Sequence, residues 1–452
     1  MLYKNSYPIP KTLAVQATDN LDDIDSLDFR ENLLKKIIPF SKNDRYDLAI
    51  RSSCTLEDDF TNNMAGHFDT FLGEMSSDDV FTNIKKIIAG IKEKSKGKMG
   101  IVIQNRISAD YSGVLLSSNP VTYSKKQMFI SYIHGMGNEL VSGKDSGTDV
   151  VVTITEDDFL IDTKIDHALK EKIILLAQKS KKLEKRLNYP VDIEWTILGD
   201  DIYFLQCRPL ASITKVSSGV FPVNNQNVSK IPKQLVSHDK INLRLTAQEL
   251  NIFISDAYVC IRNLCSDDSP VIAIDNSNFC KGYSTVIIYP YRLSNKVIRS
   301  FVGDKKKVFE SMTDCCRYGI KSFPKFNDLT SCLDGYFNLL ADEYWISATI
   351  IQEIFDPLYT GVIQQLDKGY IIEITKGHFL TKGTVPVSQY IVSKSGTVLE
   401  RLEVHQKTWL KIIEGHIIHC VCDDEDDPLV ALNNEEIKHI IDSFSTILKI
   451  DS

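Results

Sequence analysis

The sequence lacks any long apolar segment. No run in its 452 residues approaches the roughly 18 consecutive apolar residues that a membrane-spanning helix requires. The amino terminus also lacks a charged stretch followed by an apolar one, which is the pattern of a secretory signal. We therefore expect a cytoplasmic protein with no membrane partner.

A basic surface is missing as well. The chain carries 52 Lys and Arg against 60 Asp and Glu, which gives a net charge of −8. Because a phosphate polyanion binds to a basic footprint, this balance argues against a nucleic-acid partner. A disulfide framework is not indicated either, since ten Cys without a secretory signal fit reduced thiols.

The length and the local composition indicate two domains. Residues 213–240 are rich in Ser, Asn, Lys and Pro and have little apolar periodicity, which predicts a linker between domains at 1–212 and 241–452. Strands and helices alternate irregularly in the first domain, which favours an α+β (mixed α/β) fold. The expected elements are a strand at 47–52, a helix at 80–94, strands at 101–107, 113–118, 128–133 and 149–155, a helix at 166–187 and a closing hairpin.

The closing hairpin carries the strongest chemical signal. Its two strands are joined by a turn at 199–201, and alternation places Asp192, Glu194, Gln206 and Arg208 where their side chains can converge at one end of a sheet. Carboxylate and amide oxygens are ligands for Mg²⁺, and an Arg guanidinium holds a phosphate bidentately. The set predicts a site for magnesium and a triphosphate, although an ordinary hairpin also carries such charges.

Six motifs in a fixed order extend this signal along the first domain. They are 51–58 (RSSCTLED), 65–72 (AGHFDTFL), 102–106 (VIQNR) with 111–114 (YSGV), 135–137 (GMG) with 141–143 (VSG), 192–195 (DIEW) and 205–209 (LQCRP). Together they resemble the ATP-grasp nucleotide-binding domain of phosphoenolpyruvate synthase, pyruvate phosphate dikinase and rifampicin phosphotransferase. The resemblance covers residues 8 to about 212.

The resemblance implies ATP-binding roles for the first motifs. Arg51 would contact the triphosphate, and a loop containing Gly66, Asp69 and Thr70 would close over it, with backbone amides meeting phosphate oxygens. Gln104 would lie on the hinge strand beside the adenine. Each residue has a plainer interpretation: Arg51 as a surface ion pair, Gly66 as a turn and Gln104 as a strand-edge amide.

The hairpin would supply the metal and charge-stabilising groups. By the same resemblance, Glu194 and Gln206 would ligate Mg²⁺ and Asp192 would support them. Arg208 would stabilise charge on the transferred phosphoryl group, and with Arg51 it would form the catalytic pair. The implied cofactors are ATP and Mg²⁺.

Two departures from the family affect the expected activity. Only seven residues precede the strand that begins at Pro8, so we expect the family's phosphate-binding Lys to be missing unless Lys4, Lys11 or another subunit replaces it. Losing that cation removes a charge-assisted contact of about 1.5–3 kcal/mol, which affects turnover more than binding. No Gly-Gly-x-Thr-Ser-His run occurs in the sequence, so a phosphohistidine would belong to a separate carrier protein.

The second domain resembles a repeat of the first. Ile103-Gln104 and residues 111–114 align at one constant offset with Ile351-Gln352 and residues 359–362, and a helix precedes each copy. This similarity predicts a tandem of two ATP-grasp-like halves. In the second half, Arg292 would be the analogue of Arg51. No counterpart of the metal-binding hairpin follows the final helix, so this half is expected to bind substrate, regulate or dimerise.

Three functions remain open on the sequence alone. The first is an ATP- and Mg²⁺-dependent phosphotransferase that acts on a small-molecule acceptor or on a separate phosphohistidine carrier. The second is an ATP-grasp ligase that works through an acyl phosphate. The third is a non-catalytic ATP-binding regulatory subunit. A partner subunit or a homo-oligomer is compatible with each of them.

Overall fold

The computed structural model has the α+β (mixed α/β) composition that the sequence predicts. It describes residues 2, 7–16, 26–42, 45–54, 70–94, 99–137, 147–156, 158–161, 163, 165–236, 239–266, 285–290, 321–322, 334–335, 337–338, 340–353, 357–377, 386–413, 416–421 and 429–448. Within these ranges, no helix is both long and apolar enough to cross a membrane.

The chain divides into two compact units. Unit 1 contains residues 1–216 together with 343–345, and unit 2 contains residues 217–342 and 346–452. The stretch 213–240 differs from the linker that its composition predicts, because it contains short helices and a strand at Gly219–Pro222. This strand lies at the edge of a sheet, where a proline is tolerated.

The first sheet of unit 1 places Arg51 on the face opposite the core. Its strands are β1 (Thr12–Gln16), β2 (Ser41–Lys42), β3 (Arg45–Cys54), β4 (Thr70–Met75) and β5 (Met99–Asn105), with the order β1-β5-β3-β2 and with β4 also paired to β3. Helices α1 (Leu27–Ile37) and α2 (Ser77–Lys94) pack on one face, where Leu48 and Ile50 are fully buried. Since side chains alternate along β3, Ala49 and Arg51 face the other way.

The second sheet of unit 1 carries the hairpin. It consists of β6 (Tyr111–Leu116), β7 (Gln127–His134), β8 (Thr148–Ile154), β9 (Phe159–Ile161), β10 (Val191–Leu198) and β11 (Asp201–Pro209), in the order β11-β10-β6-β7-β8-β9. Helix α3 (His167–Leu187) contributes to the same core. Asp166 is its N-cap residue, and the Asp166 side chain accepts hydrogen bonds from the backbone amides of Ala168 and Leu169. A short helix, α4 (Ala211–Thr214), follows the hairpin.

A buried polar network joins α3 to the strands beside the hairpin. Glu184 is 2% exposed, and it accepts hydrogen bonds from Ser117 Oγ at 2.5 Å and Ser118 Oγ at 3.0 Å. Its other oxygen pairs with Lys181, whose pKa is lowered by burial. Ser118 Oγ also accepts from Trp345 Nε1 at 2.9 Å, so residues 343–345 join this part of unit 1.

Among its described residues, unit 2 contains two sheets of four or more strands, two strand pairs and several helices. Its first sheet has β12 (Gly219–Pro222), β13 (Ala257–Asn263), β14 (Thr285–Pro290), β15 (Lys321–Ser322) and β16 (Ile346–Glu353) in the order β12-β13-β16-β14-β15. The second has β17 (Tyr359–Leu366), β18 (Gly369–Lys376), β19 (Ser388–Ser393) and β20 (Val398–Leu402) in sequence order. Further elements are β21 (Val404–His405) with β24 (Leu429–Val430), β22 (Thr408–Ile413) with β23 (His416–Val421), and helices α5 (Lys233–Val236), α6 (Asp239–Glu249) and α7 (Asn434–Leu448).

The strand order of unit 1 recurs in unit 2. The order β1-β5-β3-β4 corresponds to β13-β16-β14-β15, and β6-β7-β8-β9 corresponds to β17-β18-β19-β20. All of these pairings are antiparallel in both units. Gly113 and Gly361 occupy matching positions, and a Cβ on either would collide with a carbonyl oxygen of the next strand. The tandem organisation predicted from the repeated motifs is therefore found in the topology.

The register also corrects one correspondence. Gln104 lies opposite Ala49 in unit 1, and Gln352 lies opposite Ile287 in unit 2. Two residues further along each strand, the position of Arg51 is taken by Tyr289, so the expectation that Arg292 is its analogue is wrong. Arg292 itself lies outside the described residues. Arg292 comes three positions after Tyr289 in the sequence, and only the pairing of β14 with β16 identifies Tyr289 as the matching residue.

We expect Glu184→Gln to destabilise unit 1 by about 3 kcal/mol. The substitution leaves the buried Lys181 ammonium without its carboxylate, and breaking a buried pair from one side costs about 3–5 kcal/mol. Urea unfolding would measure the change. Glu171→Gln is the matched control on the same helix, because its pair with His167 is exposed and should contribute less than about 1 kcal/mol. Equal effects of the two substitutions would contradict the prediction.

A second stability prediction concerns Gly113. Gly113→Ala should lower the free energy of unfolding by about 1–3 kcal/mol, because its Cβ would meet the carbonyl oxygen of Ser131 and the ring of Trp195. Gly199→Asn is the control, since Gly199 has φ of +56°, no atom lies within 4 Å of the place its Cβ would take, and Asn adopts that conformation. An unchanged urea midpoint for Gly113→Ala would contradict the close packing.

Candidate functional site

The hairpin pairs the four polar residues predicted from the sequence, Asp192, Glu194, Gln206 and Arg208, which together are called the polar group. Asp192 lies directly opposite Arg208, and Glu194 lies directly opposite Gln206. The register shifts between Glu194 and Trp195, which is a β-bulge. Bulges re-aim side chains and are frequent beside functional sites. Beyond it, Trp195 is fully buried, so the end of the hairpin that carries the polar group is held by a rigid core.

Arg51 reaches the same group from the other sheet of unit 1. Its Nη1 donates to Glu194 Oε2 at 2.9 Å and to Gln206 Oε1 at 3.2 Å. Arg208 donates from Nε to Asp192 Oδ2 at 3.2 Å, and its Nη2 lies 3.5 Å from Glu194 Oε1. Both oxygens of Glu194 therefore face a guanidinium.

Burial makes the charges of this group depend on one another. The side chain of Glu194 is 9% exposed, and those of Arg51, Asp192 and Arg208 are 21%, 22% and 24% exposed. Burial raises the pKa of Asp192, and the neighbouring Arg208 opposes that rise. Within the described part of the chain, Asp192 Oδ1 is buried and accepts no hydrogen bond. A buried carboxylate oxygen without a partner is an available ligand for a cation.

A cleft adjoins the polar group and contains both Arg51 and Gln104. It encloses about 450 Å³ of empty space, part of which is open to solvent. Gln104 is 6% exposed, and its Nε2 donates to Thr12 Oγ1 at 3.2 Å. The cleft is lined by Ala49, Arg51, Leu72, Gln104, Asn105, Arg106, Ile107, Ser112, Met136, Gly137, Thr196 and Leu205. The motifs separated in sequence thus contribute to one cleft.

The loop residues predicted at the triphosphate have different outcomes. Thr70 was expected in a loop, but it begins strand β4 and lies opposite Arg51. The pairing with β3 continues to Thr70, which makes this residue part of the sheet. Gly66 and Asp69 lie outside the described residues. Arg51, Gln104, Asp192, Glu194, Gln206 and Arg208 are all described, and all six belong to unit 1.

One ion pair in the cleft was not expected from the sequence. Arg106 Nε lies 2.6 Å from Asp47 Oδ1, and Arg106 lines the cleft two residues beyond Gln104. Alternation along an extended chain would have placed Gln104 and Arg106 on the same side. The motif that contains both residues therefore held the signal, but the partner Asp47 comes from a strand whose pairing the sequence does not specify.

The polar group fits magnesium bound together with phosphates. No group of three or more His, Cys, Asp or Glu suited to a metal occurs among the described residues. Mg²⁺ usually takes one or two carboxylates from the protein and completes its shell with water and substrate phosphates. Asp192 and Glu194 supply two carboxylates and Gln206 an amide oxygen, which suits this arrangement better than a metal site built from protein alone.

Comparisons with known proteins agree with the motifs of unit 1. Residues 26–170 and 162–226 match the family model of the pyruvate phosphate dikinase AMP/ATP-binding domain. The uncharacterized phosphotransferase YvkC of Bacillus subtilis is 30% identical over 203 residues, which cover 37% of this chain and 24% of that protein. A probable phosphoenolpyruvate synthase of Pyrococcus horikoshii is 26% identical over 226 residues, covering 40% and 27%. The rifampicin phosphotransferase of Bacillus cereus is 25% identical over 210 residues, covering 38% and 24%.

These relatives are much longer than the matched region, since the chain spans about a quarter of their length. Among solved structures, D-alanine-D-alanine ligase from Coxiella burnetii has a TM-score of 0.26 at 9% identity and covers 48% of this chain and 47% of that chain. PH1788 from Pyrococcus horikoshii has a TM-score of 0.29 at 11% identity, with coverages of 46% and 86%. Such low TM-scores carry no argument about the fold. The sequence matches show that residues 26–226 resemble the AMP/ATP-binding domain of pyruvate phosphate dikinase, and that the chain is similar to parts of proteins named phosphoenolpyruvate synthase and rifampicin phosphotransferase.

Proposed function

We propose that unit 1 binds ATP with Mg²⁺ and transfers a phosphoryl group from it. The observation that carries this proposal is the convergence of two carboxylates, an amide oxygen and two guanidinium groups at the side of one cleft. Relatives named phosphotransferase and phosphoenolpyruvate synthase support the same type of activity. Phosphoryl transfer requires mainly positioning and charge neutralisation, which such a group provides.

Each residue has a proposed part in this chemistry. Glu194 and Gln206 would hold Mg²⁺ and Asp192 would support them, with its unpaired Oδ1 as a further oxygen. When bound, the metal neutralises negative charge on the phosphates. Arg208 would stabilise the charge that develops on the transferred group, and Arg51 would bind the triphosphate.

The base would lie further along the cleft. Gln104 is the proposed residue beside the adenine, and its side chain is held in place by the hydrogen bond to Thr12. From the family resemblance, Gly66 and Asp69, which precede β4, are proposed to contribute backbone amides to the phosphates. A fixed base and a fixed triphosphate would together orient the terminal phosphoryl group.

The proposed acceptor is a small molecule or the His of a phosphohistidine carrier. The sequence contains no Gly-Gly-x-Thr-Ser-His run that would present a phosphohistidine. An acyl-phosphate ligase and a non-catalytic nucleotide sensor are the two other interpretations of the same site. The nucleotide product separates three outcomes: a dikinase releases AMP, a ligase or simple kinase releases ADP, and a sensor releases neither. A ligase and a simple kinase differ in the acceptor, which a ligase joins to a second substrate.

The direct experiment is a calorimetric titration of the full chain with ATP, with and without Mg²⁺, followed by product analysis in the same sample. We expect Mg²⁺-dependent binding and slow formation of ADP or AMP. Binding without product over many hours would contradict catalysis and leave a sensor. Absence of binding in both titrations would contradict the proposed function as a whole.

Glu194→Ala should remove the Mg²⁺-dependent part of the ATP affinity while the chain stays folded. We expect a loss of at least about tenfold, because even outer-shell partners of a metal contribute about 10–100-fold. Asp201→Asn is the control, since Asp201 is an exposed carboxylate at the far end of the same hairpin. The same titration measures both variants, and an unchanged affinity for Glu194→Ala would rule out this residue as a metal ligand.

A further inference from the structure

One nitrogen atom of Arg51 engages both oxygens that are proposed to hold the metal. Arg51 Nη1 lies 2.9 Å from Glu194 Oε2 and 3.2 Å from Gln206 Oε1. These two residues face each other across the hairpin, so the guanidinium occupies the space in which their oxygens converge. While the guanidinium occupies this space, a metal ion cannot approach both oxygens without clashing with it and being repelled by its positive charge.

We infer that Arg51 blocks the metal site until a nucleotide binds. The inference rests on the proposed function, and it adds an order of binding: Mg²⁺ associates strongly only together with ATP. The triphosphate draws the guanidinium away from Glu194 and Gln206, and this movement frees the two oxygens for the metal. Arg51 thus has two alternative anionic partners, the hairpin carboxylate and the nucleotide.

The cost of displacing Arg51 without a nucleotide follows from its surroundings. Its side chain is 21% exposed, and its Nε is already buried without a hydrogen-bond partner in the described part of the chain. Moving the guanidinium off Glu194 would leave a largely buried charge unpaired, which is unfavourable. The acidic residue on the same strand as Arg51 is Asp47, and its carboxylate is already paired with Arg106 at 2.6 Å. A phosphate can replace the lost partner with two parallel hydrogen bonds.

Arg208 does not block the site in the same way. It donates to Asp192 Oδ2 at 3.2 Å, and its distance to Glu194 Oε1 is 3.5 Å. The remaining oxygen of Asp192 is left without a partner, and no bond from Arg208 to Gln206 is present among the described contacts. Arg208 therefore neutralises the hairpin from one side, whereas Arg51 covers the two facing oxygens.

The test is a titration of the full chain with Mn²⁺, which prefers the same oxygen ligands as Mg²⁺ and can be followed by the paramagnetic resonance signal of the free ion. After subtraction of the Mn²⁺ that ATP binds in a titration without protein, wild-type protein should bind Mn²⁺ weakly alone and at least fivefold more tightly with ATP present, as expected for coupled sites. Arg51→Met should bind Mn²⁺ alone at least fivefold more tightly than wild type. The same variant should bind ATP more weakly, because the triphosphate loses a cation.

Arg106→Met is the matched control. It removes the same charge from the same cleft, but Arg106 pairs with Asp47 rather than with the hairpin. Its affinity for Mn²⁺ alone should stay within twofold of wild type, and thermal unfolding of each variant verifies that it is folded. If Arg51→Met fails to fold, Arg51→Lys replaces it, since a single ammonium cannot reproduce the fork and should also release the oxygens in part.

Three results would overturn the inference. Equal Mn²⁺ affinity in wild type and Arg51→Met, equal gains in both Met variants, or no binding of Mn²⁺ in any protein with ATP present would each do so. Failure of the proposed function has a different signature. If Arg51→Met gains Mn²⁺ affinity but wild type forms no ADP or AMP from ATP, then the block by Arg51 holds and phosphoryl transfer does not.

Discussion

The neutralisation of Glu194 is the constraint on which the functional site depends. The Glu194 side chain is 9% exposed at a place where two sheets of unit 1 meet, and a buried charge is stable only when it is paired. Arg51 supplies the pairing from the first sheet and Arg208 from the second. The two sheets are therefore linked by the same contacts that a nucleotide and a metal would have to rearrange.

Part of the strand order of unit 1 occurs again in unit 2, but Arg51 does not. The order of four strands from each sheet recurs in unit 2, without a counterpart of β10 and β11 in its described sheets, and the crowded glycine recurs at Gly361. At the register position of Arg51, however, the second copy has Tyr289. A phenol carries one neutral donor where a guanidinium carries a charged fork of five, so the repeated topology does not imply a repeated site. Fold and chemistry are inherited separately in such a duplication.

Local patterns predicted the parts of the site that lie within one or two strands. Alternation was sufficient to bring Asp192, Glu194, Gln206 and Arg208 to one end of the hairpin, since a short turn fixes the register of both strands. The contact between Arg51 and Glu194 could be predicted only through a family resemblance. It joins strands of different sheets across 143 positions of sequence, and no local pattern specifies such a distance.

The structure differs from the sequence-based expectations where pairing between distant segments decides the outcome. Thr70 becomes part of a strand because β3 extends far enough to pair with it, and residues 219–222 become a strand because β13 offers an edge. The composition of residues 213–240 predicted a linker, whereas the family resemblance placed Thr70 in a loop. Backbone hydrogen bonds to a distant partner override such weak local preferences.

The hydrogen bond from Trp345 to Ser118 has a consequence for how this protein folds during synthesis. The two residues are 227 positions apart, and Trp345 nevertheless belongs to the compact unit formed by the first 216 residues. As the chain leaves the ribosome, that unit cannot complete its contacts until more than a hundred further residues have been translated. Its last side-chain contacts must form late, after most of the second unit has emerged, and contacts of such long separation are the slow ones in folding.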